Sequence, residues 1–363
     1  MSGGEERFMH RALELALSAP FTSPNPRVGA VLVRDGRVIG EGAHLGVGSP
    51  HAEAVALEAA GDARGATAFV TLEPCNHKGH TPPCAPALVE AGVSRVVVAL
   101  IDPDERVSGS GLDLLRDAGL VVETGLLEGR ARSVNAAYLH HRTTGRAFLT
   151  LKLALSIDGR LGAADGSSRW ITGAEARTLV HRRRLEADAV MVGSGTIVAD
   201  DPELTVRAVP AARQPVAVVV DGSGGTPPGS AVFRGHDEVI VATHPGVPHE
   251  NQLSWKEAGA EVLVLPSPDP EGGVDVAALL RELGRRGMVE VYCEGGARLA
   301  TRLLALDLVD RLEVHRGAVV IGEGGPSIGP LGSSSMSDAT RWRLTSSQAL
   351  GDDLVTTYER RVG

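Results

Sequence analysis

Four residues could do chemistry together: His51 and Glu53 in a His-Ala-Glu triplet, Cys75 after Pro74, and Cys84 after Pro83. One imidazole and two thiolates supply three ligands of a tetrahedral zinc and leave the fourth position to water, as a catalytic zinc requires. Zinc brings the pKa of that water toward neutrality, and a carboxylate two residues from the histidine can carry its proton to a departing amine. Glu53 is the expected general acid/base. The competing explanations are a purely structural zinc and unrelated core residues, but folding alone does not ask for Glu53 at that spacing. The chain has three cysteines, an odd number that suits a metal site better than a disulfide framework, and Cys293 in VEVYCEGG reads as a buried strand residue. A second, weaker signal is that same VEVYCEGGARLA, a Gly-rich turn between a strand and a helix start where unpaired N–H groups favour a phosphate.

Two domains must position these residues, because 363 residues exceed what one core usually organises. The first 125 residues alternate apolar, β-rich runs (VGAVLV, RVIGEG, ATAFVTL, SRVVVAL, LVVETG) with amphipathic helical stretches (RFMHRALELALSA, AEAVALEAA, CAPALVEAG, LDLLRDAG), which predicts a sheet layered with helices. GRARSVNAAYLHHR reads as a connector helix, and TTGR at 143–146 as the seam. The alternation restarts with AFLTLKLALSIDGRL, a helix around AEARTLVHRRRLEA, and the strands DAVMVGSG, PVAVVVDGSG, DEVIVATH and AEVLVLP. It ends on VAALLRELGRRG, VEVYC and ARLATRLLAL; the Gly/Ser-rich pieces near 322–337 read as loops.

Hydrophobic residues at 43% and charged residues at 22% make an ordinary globular balance, so disorder is excluded as a starting point. A formal charge of -9 and only 3% aromatic residues disfavour a nucleic-acid partner, which needs a basic face and stacking surfaces. No stretch approaches the roughly 20 apolar residues that span a bilayer, and the start carries acids where a signal peptide is basic. The expectation is a cytoplasmic enzyme with a small-molecule substrate and no membrane partner.

The motifs resemble the cytidine-deaminase-like superfamily. The long TLEPCNHKGHTPPC segment, with SPNPRVGAVLV and GEGAHLGVGSPHAEAVAL before it and WITGAEAR, GSGTIVADDPELTVR and CEGGARLA after it, is similar to the bifunctional deaminase/reductase family of riboflavin biosynthesis over nearly the whole chain. The resemblance implies an α/β chain: a cytidine-deaminase-like zinc domain over 1–145 and a dihydrofolate-reductase-like, NADPH-dependent domain over 146–363. It implies deamination of a diaminopyrimidinone carrying a phosphoribosylamino group, then reduction of the ribosyl group to ribityl. Asn25 and His44 match substrate contacts, with a turn asparagine and a surface histidine as the plainer alternatives. In the second domain Ala154, Trp170, Thr196, Asp200, Ser223 and the 296–302 stretch (Gly296, Ala297, Arg298, Leu299, Ala300, Thr301, Arg302) correspond to NADPH contacts. Ser168, Arg184, Leu204, Arg207 and Glu294 correspond to substrate contacts. Arg184 and Arg207 suit a phosphate because guanidinium forks bind its oxygens bidentately, although HRRR on a helix also fits a solvated face. Lys152 and Asp200 are the expected catalytic pair, unless Lys152 only pairs structurally; Glu294 orients substrate or caps backbone. A homo-oligomer through the reductase domain is implied by the resemblance alone.

The phosphate end of the deaminase departs from the family. His80 stands where Lys or Arg usually precedes TPPC, Asp104 where Asn is usual, and Ser110 where a base is common. A carboxylate repels a phosphate, and one lost charge-assisted hydrogen bond costs about 1.5–3 kcal/mol. Lys78, Arg106 or a protonated His80 are the available compensations. The departures support a second reading, a paralogue acting on a related pyrimidine or purine-derived nucleotide. A third, a binding or scaffold protein with degenerate sites, is opposed by the intact His51, Glu53, Cys75 and Cys84.

Overall fold

The computed structural model describes residues 4–76, 82–104, 107–267 and 273–360. The chain divides between Gly145 and Arg146 into two compact units.

The first unit is a five-stranded sheet in the order β2-β1-β3-β4-β5, built from β1 (Gly29–Arg34), β2 (Arg37–Ala43), β3 (Thr67–Val70), β4 (Arg95–Val98) and β5 (Val121–Thr124). β1 is antiparallel to β2 and β3, while β3, β4 and β5 run parallel. Period-two alternation sorts its apolar residues to two faces. Val31, Val33, Phe69 and Val97 pack with α1 (Glu6–Ala16), α5 (Glu128–Val134) and α6 (Ala136–Thr144). Ala30, Leu32, Val70 and Val98 pack with α2 (Ala52–Ala60), α3 (Cys84–Glu90) and α4 (Ser110–Asp117). Two β2 glycines allow α2 to lie directly on the sheet: a Cβ at Gly40 would come 2.2 Å from the Ala56 carbonyl oxygen, and one at Gly42 2.0 Å from that of Ala52. The connector is two helices rather than one. Asn135 interrupts it because its buried side chain turns to the backbone of Arg27, accepting from the amide N at 2.8 Å and donating to the carbonyl at 2.9 Å. Gly145, in the left-handed region at φ 69°, then ends α6.

The second unit is a nine-stranded sheet in the order β10-β9-β8-β7-β11-β6-β12-β14-β13. β6 (Phe148–Leu155), β7 (Ala189–Gly193), β8 (Val216–Val220), β9 (Val239–Thr243), β10 (Glu261–Val264), β11 (Glu290–Cys293) and β12 (Arg311–Arg316) are parallel, and β14 (Asp353–Arg360) and β13 (Trp342–Leu350) close one edge antiparallel. Strands covered on both faces read as unbroken apolar runs, which is why VAVVV and VIVAT show no alternation. α10 (Val276–Arg285) and α11 (Ala297–Ala305) pack one face with Leu149, Leu151, Met191, Val218 and Val291. On the other, Val190, Val192, Val219 and Val241 pack with Ile197 of α8 (Ser194–Asp200) and Trp255 of α9 (His249–Glu257), and Val180 of α7 (Ala174–Glu186) meets Tyr292. β12, β13 and β14, α8 and α9 are elements that the sequence patterns did not announce. No helix among the described residues is long and apolar enough to cross a membrane.

Candidate active sites

In the first unit the chemistry lies on the α2–α3–α4 face. His51 is the N-cap of α2, Glu53 lies in its first turn, Cys75 follows β3, and Cys84 opens α3. The ligand atoms of His51, Cys75 and Cys84 all lie within 4.8 Å of one another. His51 Nδ1 is 3.2 Å from Cys84 Sγ and 3.5 Å from Cys75 Sγ. Metal bonds of about 2.0–2.1 Å to nitrogen and 2.3 Å to sulfur, at tetrahedral angles, separate N and S ligands by about 3.6 Å, so the three atoms fit one zinc with little movement. Hydrogen bonding from Cys84 and His51 favours the Cys75 thiolate and pulls its pKa to about 4. The Cys84 thiol is pushed the other way, first by that bond to Cys75 and then by burial. Glu53 is 4% exposed, and burial pushes its carboxyl up to about 7, the range of a proton carrier at neutral pH.

Asn25 and His44 meet beside this cluster: Asn25 Nδ2 lies 3.0 Å from His44 Nε2, and the rings of His44 and His51 stand edge to face at 5.5 Å. His44 Nδ1 faces the Pro50 carbonyl at 3.1 Å, an acceptor only, so Nδ1 carries the hydrogen and Nε2 accepts from the Asn25 amide. That leaves Asn25 Oδ1 as the free acceptor. Burial lowers the His44 pKa and so favours this neutral form. Asp104 is buried with its carboxylate 3.6 Å from Arg142 Nε of α6, and its amide donates to Asp102 Oδ1 at 2.9 Å. Tyr138, also on α6, donates to the Asp102 carboxylate at 3.1 Å. Arg142 and Tyr138 escaped the sequence reading because a pairing with residues so distant in the chain leaves no local pattern. His80, Lys78 and Arg106 lie outside the described residues.

In the second unit the expected residues gather where the parallel strands β6, β7 and β11 end, the edge at which open α/β sheets bind ligands. Arg184 on α7 grips Glu294, just past β11, through Nε and Nη2 at 2.6 and 3.0 Å, and its Nη1 donates to the Thr205 carbonyl at 2.8 Å. Both side chains are 10% exposed. The fork is therefore already engaged, while Arg207 stays exposed, 3.3 Å from Glu203. Leu204 is buried with φ at 58°, and Arg207's amide donates to His181 Nδ1, a neighbour the sequence did not single out. Lys152 lies on β6 in register with Glu313 of β12, and its ammonium makes no hydrogen bond or ion pair among the described residues. Burial lowers its pKa, and Glu294, Glu313 and Asp200 oppose that shift. Ser168 donates to Asp200 Oδ1 at 3.3 Å.

The first turns of α8 and α11 touch. A Cβ on Gly296 would sit 3.2 Å from Thr196 Oγ1, and one on Gly195 3.7 Å from Arg298 Nη2. Gly296, the N-cap of α11, has no side chain with which to bond the first N–H groups of the helix, an arrangement that suits a cofactor phosphate. Leu299 and Ala300 face the core, Thr301 Oγ1 accepts from Gly329 N at 2.7 Å, and Arg302 Nε is buried without a partner. Ala154 is on β6 and Trp170 is exposed under the Arg177 guanidinium at 4.3 Å. Ser223 lies in the loop after β8 and donates to Asp221 Oδ1 at 2.9 Å. Sequence reasoning also missed Asp158, whose carboxylate accepts from Ser156 Oγ, Ile321 N and Gly322 N and is held at about 2 by these bonds. It fastens the segment after β6 to the segment after β12.

Residues 3–100 match the cytidine and deoxycytidylate deaminase zinc-binding region, and residues 147–356 match the RibD C-terminal domain. The chain is 40% identical over 359 residues to the riboflavin biosynthesis protein RibD of Aquifex aeolicus, covering 98% of each. The chain belongs to the RibD family. A solved RibD of Acinetobacter baumannii superposes with a TM-score of 0.86 at 36% identity, covering 98% of this chain and 99% of that one. A Thermotoga maritima structure described as a diaminohydroxyphosphoribosylaminopyrimidine deaminase/5-amino-6-(5-phosphoribosylamino)uracil reductase gives a TM-score of 0.84 at 33% identity, covering 98% and 99%. As a RibD protein the chain is a bifunctional deaminase/reductase of riboflavin biosynthesis, with a zinc-binding deaminase half and an NADPH-dependent reductase half.

Proposed function

We propose that residues 1–145 deaminate 2,5-diamino-6-(5-phosphoribosylamino)pyrimidin-4(3H)-one at C2, and that residues 146–363 then reduce its ribosyl group to ribityl. The carrying observation is similarity over 98% of the chain to the Thermotoga maritima protein described by both activities. His51 Nδ1, Cys75 Sγ and Cys84 Sγ are the atoms that would hold zinc, which supplies a Lewis acid that makes water nucleophilic near neutral pH. Glu53 takes the proton of that water and returns it to the amino group leaving as ammonia, a task suited to a buried carboxyl near pKa 7. Asn25 Oδ1 accepts from the ring's N–H edge because Asn25 Nδ2 is committed to His44.

In the reductase half NADPH, when bound, would supply the hydride that reduces C1'. Lys152 donates a proton to the ribose ring oxygen as it opens; burial lowers its pKa, which eases that transfer, while Glu294 and Asp200 oppose the shift. Arg207, whose fork is exposed, is better placed than Arg184 to take the substrate phosphate; Arg184 instead holds Glu294 in place. At the deaminase's phosphate end Asp104 is offset by Arg142, which weakens the motive for a paralogue with another substrate. We assign the enzyme to the cytoplasm, where its zinc-binding thiols stay reduced, acting as a homo-oligomer through the reductase half, which equilibrium sedimentation tests.

Purified protein incubated with the diaminopyrimidinone nucleotide should convert one amino group to an oxygen with release of ammonia. Adding NADPH should produce a species carrying the extra hydride and proton, both read by mass spectrometry. Ammonia release without a reducible product, or no conversion of this nucleotide by zinc-loaded protein, contradicts the assignment.

A further inference from the structure

The zinc-ligand corner contains a second buried acid that the chemistry above does not use. Glu73, two residues before Cys75, is 4% exposed, and no Lys or Arg lies within ion-pair distance of it among the described residues. A carboxylate taken out of water needs donors, and Glu73 finds them in backbone amides at the start of α4. Gly109 N donates to Oε2 at 3.0 Å and Gly111 N to Oε1 at 3.1 Å, with longer bonds of 3.4 Å from Asp102 N and Leu112 N. Two further contacts close the same joint. A Cβ on Gly111 would come 1.9 Å from the Pro74 carbonyl oxygen, so α4 presses directly on the peptide between Glu73 and Cys75. Asn76 Nδ2 donates to the Ser110 carbonyl at 3.4 Å. A helix N-terminus attracts an anion, and here the protein's own carboxylate fills that seat.

We propose that Glu73 is a positioning residue for the zinc centre. Its carboxylate fixes the Pro74–Cys75 peptide against α4, and thereby fixes Cys75 Sγ relative to His51 and Cys84. The same bonds occupy the α4 amides, so the substrate phosphate is not held there and falls to side chains of the neighbouring loops. The inference rests on Cys75 being a zinc ligand.

The test uses the zinc-loaded full chain and follows metal transfer to a chromogenic chelator, with deaminase and reductase kinetics on the same samples. Glu73→Gln keeps the shape but points an NH2 at amide donors. It should release zinc about tenfold to a hundredfold faster, the usual effect of losing a group that orients a metal ligand. It should also lower deaminase kcat per bound zinc, with reductase kinetics unchanged. Glu73→Asp, which keeps the charge, should recover part of the loss. Gly111→Ala attacks the joint from the other side and should also speed release; it decides the matter if Glu73→Gln does not fold. Unchanged zinc release in folded Glu73→Gln and Gly111→Ala, or a lowered Tm with release and kcat per zinc untouched, overturns the proposal. Wild-type protein that binds no zinc would instead sink the zinc assignment beneath it.

Discussion

The two halves of this chain build their sites in opposite ways. The zinc centre of the deaminase is drawn from a short stretch, His51 to Cys84, delivered to one face of the sheet by α2, α3 and the segment after β3. The reductase centre is collected from the ends of β6, β7 and β11 and from segments as far apart as the loop at Ser168 and Arg302 on α11. A metal centre fails when one ligand is lost. A site spread along a sheet edge loses function in graded steps.

The sharpest contrast should come from Cys84→Ala. It removes a zinc ligand that is also the first residue of α3, so zinc content should fall from one per chain to near zero and ammonia release should vanish with it. NADPH oxidation with the deaminated substrate should stay within about twofold, because no zinc ligand comes from the reductase unit. Residual full deamination, or a matching loss of reductase activity, would break the contrast. Lys152→Met should lower reductase kcat by about 10²–10⁴, the usual share of a proton donor, and leave ammonia release intact. A loss below about tenfold would reduce Lys152 to a structural role.

This difference also governs what the sequence could reveal. A zinc site of few ligands on local elements is spelled out by HAE, PC and PC, and its cores follow from simple alternation. The reductase face was harder to read for a physical reason. On β12 it is Arg311, Glu313 and His315 that alternate; Glu313 and His315 are buried, bonded to each other at 2.7 Å, with Arg183 2.9 Å from Glu313. An inward-facing polar row inverts the pattern that marks a strand. β13 is exposed at nearly every position, so it has no alternation at all. The break at Asn135 was invisible because it depends on Arg27, far away in the chain.

The smallest effects should appear at the deaminase's phosphate end. Asp104→Asn removes a negative charge and releases Arg142, so deaminase KM should fall by up to roughly tenfold, the scale of one charge-assisted hydrogen bond. If His80 contributes charge, KM should rise between about pH 6 and pH 8, as an imidazole with a pKa near 6.5 loses its proton, and His80→Lys should flatten that rise. A flat profile with no gain from either substitution places the phosphate on other residues.

The most direct test of the whole account is Glu53→Gln, assayed for bound zinc and released ammonia on one sample. The amide keeps the shape of the side chain without the ability to carry a proton. One zinc per chain should be retained as in the wild type, with ammonia release abolished and the reductase unaffected. Loss of the metal, or deamination at the wild-type rate, would contradict it.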